Sequence, residues 1–203
     1  MENLQQHNPD NPCPQKSISD RKFVIFDLDG TLIDSFECVL RCVNKALESF
    51  NLPTVNISFS ERCGDIALIF SKAKGIIDGG LRYSDFKKRF DEFHYRDCIE
   101  SIVTKLSTVN IMTDYYNEGI EIIILTNKYQ PIAERICAIL FKPFNMHVLG
   151  RLDCMDLKAK EYRLNDFMQK SGLKSYQILY YYGDSNQDKL ISEKLKIPFQ
   201  YAY

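Results

Sequence analysis

The sequence has no tryptophan and only nine glycines and seven prolines among 203 residues, too few for a collagen-like repeat or a low-complexity chain. Long apolar runs are also missing. None approaches the ~18 residues that would cross a bilayer, so no membrane partner is expected. Nor does either sign of charge dominate. Lys and Arg total 26 and Asp and Glu 27, for a net charge of -1. That balance leaves no electrostatic footprint for nucleic acid, and an anionic ligand would have to be held by a local cluster. The seven cysteines (Cys13, Cys38, Cys42, Cys63, Cys98, Cys137, Cys154) contain no CxxC pair and no zinc spacing. Reduced, mostly buried thiols in a cytoplasmic protein are the simplest expectation, and the N-terminal segment has no apolar stretch of the secretory kind.

What is present is a globular balance, 45% hydrophobic and 26% charged. Residues 1–21 are rich in Asn, Gln, Pro and Asp and read as a disordered tail. Order begins at Phe23-Val24-Ile25-Phe26, a short apolar run suited to a strand covered on both faces. Similar runs occur at Ile120–Leu125, Met146–Leu149 and Ile178–Tyr182, with a weaker one at Pro198–Tyr203, each preceded by a helical pattern. Such alternation predicts an α/β fold: a Rossmann-like parallel sheet flanked by helices. Residues 35–105 interrupt the rhythm. Phe36, Val39, Leu40, Val43, Leu47 and Phe50 share one helical face, and Asp34 with Glu37 has the spacing of a capping box. Further helices are expected from about Glu61 to Lys74 and from Ser84, with Phe86, Phe90 and Phe93 in register. The span is far longer than an ordinary loop, so an inserted helical cap subdomain at 35–105 is predicted, within a core of 22–34 and 106–203.

Ligands of an open parallel sheet bind beyond the carboxyl ends of its strands. After the first strand stand Asp27-Leu28-Asp29-Gly30-Thr31, after the second Thr126-Asn127-Lys128, and after the fourth Gly183-Asp184-Ser185-Asn186-Gln187-Asp188. Past the third lie Lys158 and Lys160. This set suits phosphoryl transfer with Mg²⁺: carboxylates for a hard cation, and a hydroxyl and an ammonium for phosphoryl oxygens. Asp27 and Asp29, two apart on an extended strand, share a side and can divide the roles of nucleophile and acid–base. His94 and His147 receive no role, and Tyr180-Tyr181-Tyr182 reads as strand.

FDLDGTLIDS, ILTNK and GDSNQD resemble the first, second and fourth motifs of the haloacid dehalogenase-like hydrolase superfamily, in the right order and at the right strand ends. The third-motif lysine of that family, counted back from Gly172, falls on Lys158 in preference to Lys160. Helices inserted after the first motif are similar to the cap of the phosphoglycolate phosphatase and β-phosphoglucomutase branch. The sequence departs from that branch at Tyr129, where Pro is usual after Thr-Asn-Lys, and at Lys158-Ala159, where Lys-Pro is usual.

The resemblance implies a Mg²⁺-dependent phosphatase acting on a small phosphorylated metabolite, as a monomer or homodimer. Asp27 would be the nucleophile, Asp29 the acid–base, and Thr126 and Lys158 the holders of the phosphoryl oxygens. Asp27, Asp184 and the Asp29 carbonyl would bind the metal, supported by Ser185 and Asp188. Leu28, Gly30 and Asn127 would line the substrate, with Arg62 and Gly64 contributing from the cap. A phosphomutase and a non-catalytic phosphate-binding protein are the alternatives.

Overall fold

The computed structural model describes residues 20–58, 66–77, 82–152 and 160–202. The tail expected at 1–21 lies almost wholly outside them. Arg21, however, is tied to Glu121 by two hydrogen bonds of 2.5 Å at the start of the sheet.

Five parallel strands form the sheet in the order β5-β4-β1-β6-β7. They are β1 (Phe23–Phe26), β4 (Glu121–Tyr129), β5 (Met146–Arg151), β6 (Ile178–Gly183) and β7 (Phe199–Tyr201). Helices α4 (Leu106–Asn117), α5 (Gln130–Leu140), α6 (Lys160–Ser171) and α7 (Asn186–Leu195) connect and cover it. Strand alternation sorts the core into two faces. Val24, Phe26, Ile122 and Ile124 pack with Met112 of α4 and Ile132 and Ile136 of α5. Phe23, Ile25, Ile123 and Leu125 pack with Leu164 of α6 and Ile191 of α7 on the other side. This is the α/β parallel sheet expected from the sequence.

The second strand runs further than its apolar residues. Thr126, Asn127 and Lys128 belong to β4, because pairing with β5 resumes at Tyr129 opposite Arg151 after a register shift. Polar residues there sit inside the strand, facing the end of the sheet where β1 meets both β4 and β6.

Between β1 and β4 the chain forms α1 (Phe36–Glu48), α2 (Ile66–Ile77) and α3 (Tyr83–Asp97), whose buried faces make a cluster of their own. Val39, Val43, Leu47, Phe86 and Phe90 are at its centre, with Phe93 packed against it. Two strands too short to show in the sequence join this unit to the sheet: β2 (Ile33–Asp34) and β3 (Val103–Thr104), paired antiparallel.

Two local expectations are corrected. The Asp34–Glu37 box does not form: Ser35 is the N-cap of α1 without a side-chain cap bond, and Asp34 accepts from the Phe36 amide at 3.0 Å. The Ser35 hydroxyl instead donates to Asp29. Nor are all thiols reduced. Cys38 of α1 and Cys98 just after α3 form a disulfide with Cα atoms 5.3 Å apart. The packing of α1 on α3 brings them together across a sequence separation of 60, which no local spacing reveals. Cys42 and Cys137 are free and buried, and burial pushes their thiols up to about 11 and about 12.

Candidate active site

The first-strand carboxylate sits where the sheet changes direction. Asp27 follows the last residue of β1, its amide donating to the Tyr182 carbonyl of β6 at 2.8 Å, and only 5% of the residue is exposed. A carboxylate so placed needs a partner, since an isolated buried charge is costly. The partner is Lys160, the first residue of α6, whose Nζ lies 2.8 Å from Asp27 Oδ1 and 2.8 Å from Asp188 Oδ1. Asp184 completes the group: carboxylate oxygens of Asp27, Asp184 and Asp188 all lie within 4.8 Å of one another.

Asp188 has both oxygens engaged. Oδ1 accepts from Lys160 and, at 2.5 Å, from the Tyr181 hydroxyl. Oδ2 accepts from the Ser185 hydroxyl at 2.5 Å, while Ser185 Oγ takes the Asp188 amide, closing a capping box at the start of α7. Asp27 and Asp184 are therefore the carboxylates left to meet a cation directly.

Electrostatically the cluster has more negative charge than its lysine cancels. Burial pushes the Asp27 carboxyl up, to about 7, with Asp188 and Asp29 adding to the effect against Lys160. Asp184 opens to solvent on one side, yet partial desolvation and Asp188 raise it as well. Burial opposes charge on Lys160 and Asp188 too, but Asp27 and then Asp188 raise the lysine, and Lys160 with the Ser185 and Tyr181 hydroxyls lowers the Asp188 carboxyl. An all-oxygen donor set with surplus negative charge fits a hard divalent cation.

Asp29 points elsewhere. Its Oδ1 receives the Ser35 hydroxyl and lies 3.0 Å from Lys128 Nζ. Between them Gly30 turns the chain at φ 78, its amide bonded to the Ile33 carbonyl at 2.8 Å and its carbonyl to Lys105 Nζ at 2.7 Å. Thr126 is buried, and its hydroxyl accepts from the Lys128 amide at 3.2 Å. Asn127 is exposed, donating to Gln187 at 3.3 Å and accepting from Arg163 at 2.9 Å. Leu28 is fully buried in the sheet core.

The structure thus brings Asp27, Asp184 and Asp188 together, puts Ser185 beside Asp188, and places Asp29 with Lys128 on β4. Lys158, Arg62 and Gly64 lie outside the described residues. From the sequence, Lys160 is only the second choice after Lys158, Lys128 stands at the second strand's end without a role of its own, and Tyr181 and His94 receive none. Lys160 differed from Lys158 there only by a count along the chain, and the contacts of Tyr181 and His94 leave no local signal.

The sequence profile of the haloacid dehalogenase-like hydrolases matches residues 24–202. The chain belongs to that family. It is accordingly an enzyme, a hydrolase, as its motifs led one to expect. It is similar to a phosphoglycolate phosphatase from Pectobacterium atrosepticum, 24% identical over 169 residues that cover 80% of this chain and 72% of the relative. Among solved structures, a predicted phosphoglycolate phosphatase from Haemophilus somnus superposes with a TM-score of 0.65 at 21% identity, covering 88% of this chain and 84% of that one. CbbY from Rhodobacter sphaeroides, solved in complex with phosphate, does so with a TM-score of 0.63 at 12% identity, covering 89% and 85%. At these identities the two structures show a shared fold.

Proposed function

We propose that this hydrolase is a Mg²⁺-dependent phosphatase that cleaves a small phosphorylated metabolite through an aspartyl-phosphate on Asp27. The observation that carries the reading is the meeting of Asp27 with Lys160, Asp184 and Asp188 at the switch point of a parallel sheet. The named relative makes phosphoglycolate the first substrate to try.

Asp27 and Asp184, with the Asp29 main-chain carbonyl, would hold Mg²⁺, which when bound neutralises phosphate charge and polarises its oxygens. The chain's own groups do the rest. An Asp27 carboxylate oxygen attacks phosphorus, the bond to the leaving oxygen breaks, and Asp29 gives that oxygen a proton. Asp29 then takes a proton from a water that attacks the same phosphorus. The bond to Asp27 breaks, and inorganic phosphate leaves with the nucleophile restored. The Thr126 hydroxyl and a lysine ammonium steady the phosphoryl oxygens as charge spreads over them. The contact of Lys160 with Asp27 supports Lys160 for that lysine, with Lys158 the alternative. Asp188, held by Tyr181 and Ser185, keeps Lys160 in place.

Helices α1–α3 serve in this reading as a cap over the carboxyl edge of the sheet, excluding water and choosing the leaving group. The proposed setting is the cytoplasm, as monomer or homodimer.

The test is phosphate release from a panel of phosphorylated metabolites by purified protein, with Mg²⁺ or with chelator. Release that needs Mg²⁺ and vanishes in a folded Asp27→Asn variant is expected. Phosphoryl return to a second hydroxyl of the substrate would mark a phosphomutase, and no turnover of any ester would overturn the reading.

A further inference from the structure

The charged seam between α3 and the sheet contains a histidine that the catalytic reading leaves unused. Asp91 and His94 lie three apart on α3, both buried, and both face the carboxyl ends of the strands. Asp91 takes Arg151 of β5, with oxygens 2.9 and 3.1 Å from one guanidinium nitrogen. His94 Nε2 lies 3.2 Å from Lys128 Nζ of β4. The same ammonium is 3.0 Å from Asp29 Oδ1.

We propose that His94 is a positioning residue for the reaction: its ring accepts a hydrogen bond from Lys128 and so holds that ammonium against Asp29, coupling the proton-transfer carboxylate to the seating of α3 on the sheet. The inference rests on the reading of Asp29 given above and deepens it.

Donor chemistry sets the direction of the bond. A lysine ammonium has three donors and no acceptor, so the nitrogen facing it must be an unprotonated imidazole nitrogen. The surroundings keep the ring in that state. His94 is 3% exposed, and burial, then Lys128 of β4, Lys87 of α3 and Arg151 of β5, holds its pKa well below the usual histidine value. Asp91, the anion on this seam, is occupied by Arg151 and, at 3.9 Å, by Lys87. Burial and these three cations therefore favour the neutral ring, with Nε2 as acceptor for Lys128.

The ring is also fixed in place. It packs on Phe90 with centroids 4.9 Å apart, and a ring nitrogen lies within 4.8 Å of the Cys38 and Cys98 sulfurs. Lys128, by contrast, is a flexible four-carbon stem whose side chain is 3% exposed. Two acceptors on different elements, Asp29 after β1 and His94 on α3, pin its end. Removing one leaves a buried ammonium with an unmet donor and freedom to drift from Asp29.

The experiment compares His94→Phe, which keeps a ring but no acceptor, with His94→Gln, which restores one. Using the full chain and the best ester from the panel, kcat of His94→Phe is expected to fall roughly 10- to 100-fold with KM little changed. His94→Gln should recover most of the loss. Wild-type kcat in His94→Phe, or a loss confined to KM or thermal stability, overturns the inference while leaving the phosphatase reading intact. A wild-type protein that cleaves no ester overturns both. Should His94→Phe fail to fold, the ¹⁵N spectrum of the wild-type histidines decides. A neutral His94 ring with unprotonated Nε2 near pH 6 supports the contact, and an imidazolium there refutes it.

Discussion

Gly30 and Asp184 approach so closely that a methyl group on residue 30 would sit 1.8 Å from the Asp184 Oδ2 atom. The obstructing atom is the end of a rotatable side chain, so the backbone of the first-motif turn has a way to survive and the carboxylate does not. Gly30→Ala would also sit at φ 78, a left-handed conformation costing about 1 kcal/mol in a residue with a Cβ. The variant should stay folded, with a small loss of stability, while Asp184 swings away from Asp27. Affinity for the divalent cation should fall roughly 10- to 100-fold. Calorimetric titration with Mg²⁺ checks this, and undiminished affinity would remove Asp184 from the metal set.

Lys160 separates two carboxylates that would otherwise face each other without compensation. Replacing it with Met keeps the stem and deletes the charge, leaving Asp27 and Asp188 buried beside no cation. Breaking a buried pair in this way costs about 3–5 kcal/mol. Lys160→Met should therefore lower the urea midpoint strongly in chelator and abolish turnover. Lys158→Ala should cost less on both counts. The reverse ranking would return the phosphate-holding role to Lys158.

Asp27 gives the metal-free protein an unusual dependence on pH. Its folded pKa stands near 7, raised by burial above the ordinary 3.8 of an aspartate. Between those values the folded form holds a proton that the unfolded chain has released. The stability tied to this proton is complete below the ordinary carboxylate range and is lost as pH climbs to neutrality. Asp188 shifts the other way, so the quantity to read is the difference between wild type and Asp27→Asn. In chelator, the melting temperature of wild type should drop relative to Asp27→Asn from pH 5 to 8. Mg²⁺ should close that gap, because metal binding displaces the proton. Parallel pH profiles in chelator would show that Asp27 holds no such proton.

The site was legible in proportion to how local its signals are. Asp27 and Asp184 announce themselves because each follows a short apolar β run, and a parallel sheet sends all such ends to one edge; Asp188, in the first turn of α7, shows only through the GDSNQD motif. The helices of 35–105 showed through the periodicity of Val39, Val43 and Leu47 and of Phe86 and Phe90. Lys160 showed only as the second choice beside Lys158, since two lysines two residues apart look alike in one dimension; its place between Asp27 and Asp188 comes from the packing of α6. Asp34 and Glu37 have the spacing of a helix cap, yet the N-cap is Ser35, whose hydroxyl is spent on Asp29. His94 meets Lys128 across 34 residues, a contact created by the docking of α3 and written in no motif.

The disulfide offers a last test, directed at the helical unit and not at the carboxylates. Cys38 follows β2 closely and Cys98 precedes β3, so the bond closes the unit near the place where Ile33 pairs with Thr104. Cross-linking across 60 residues restricts the unfolded chain, and by loop entropy alone this stabilises by about 4 kcal/mol. A dithiol reductant should release two thiols from this pair and lower the urea midpoint by an amount of that order. The Asp27–Asp184 cluster belongs to the sheet, so Mg²⁺ affinity should stay within about 3-fold of the oxidised value. Hydrogen exchange should rise first in α1 and α3, the helices the bond ties together. If reduction left both the midpoint and the exchange of those helices unchanged, the link would be without weight in holding the unit, and the packing of Val43, Leu47, Phe86 and Phe90 would have to account for its order unaided.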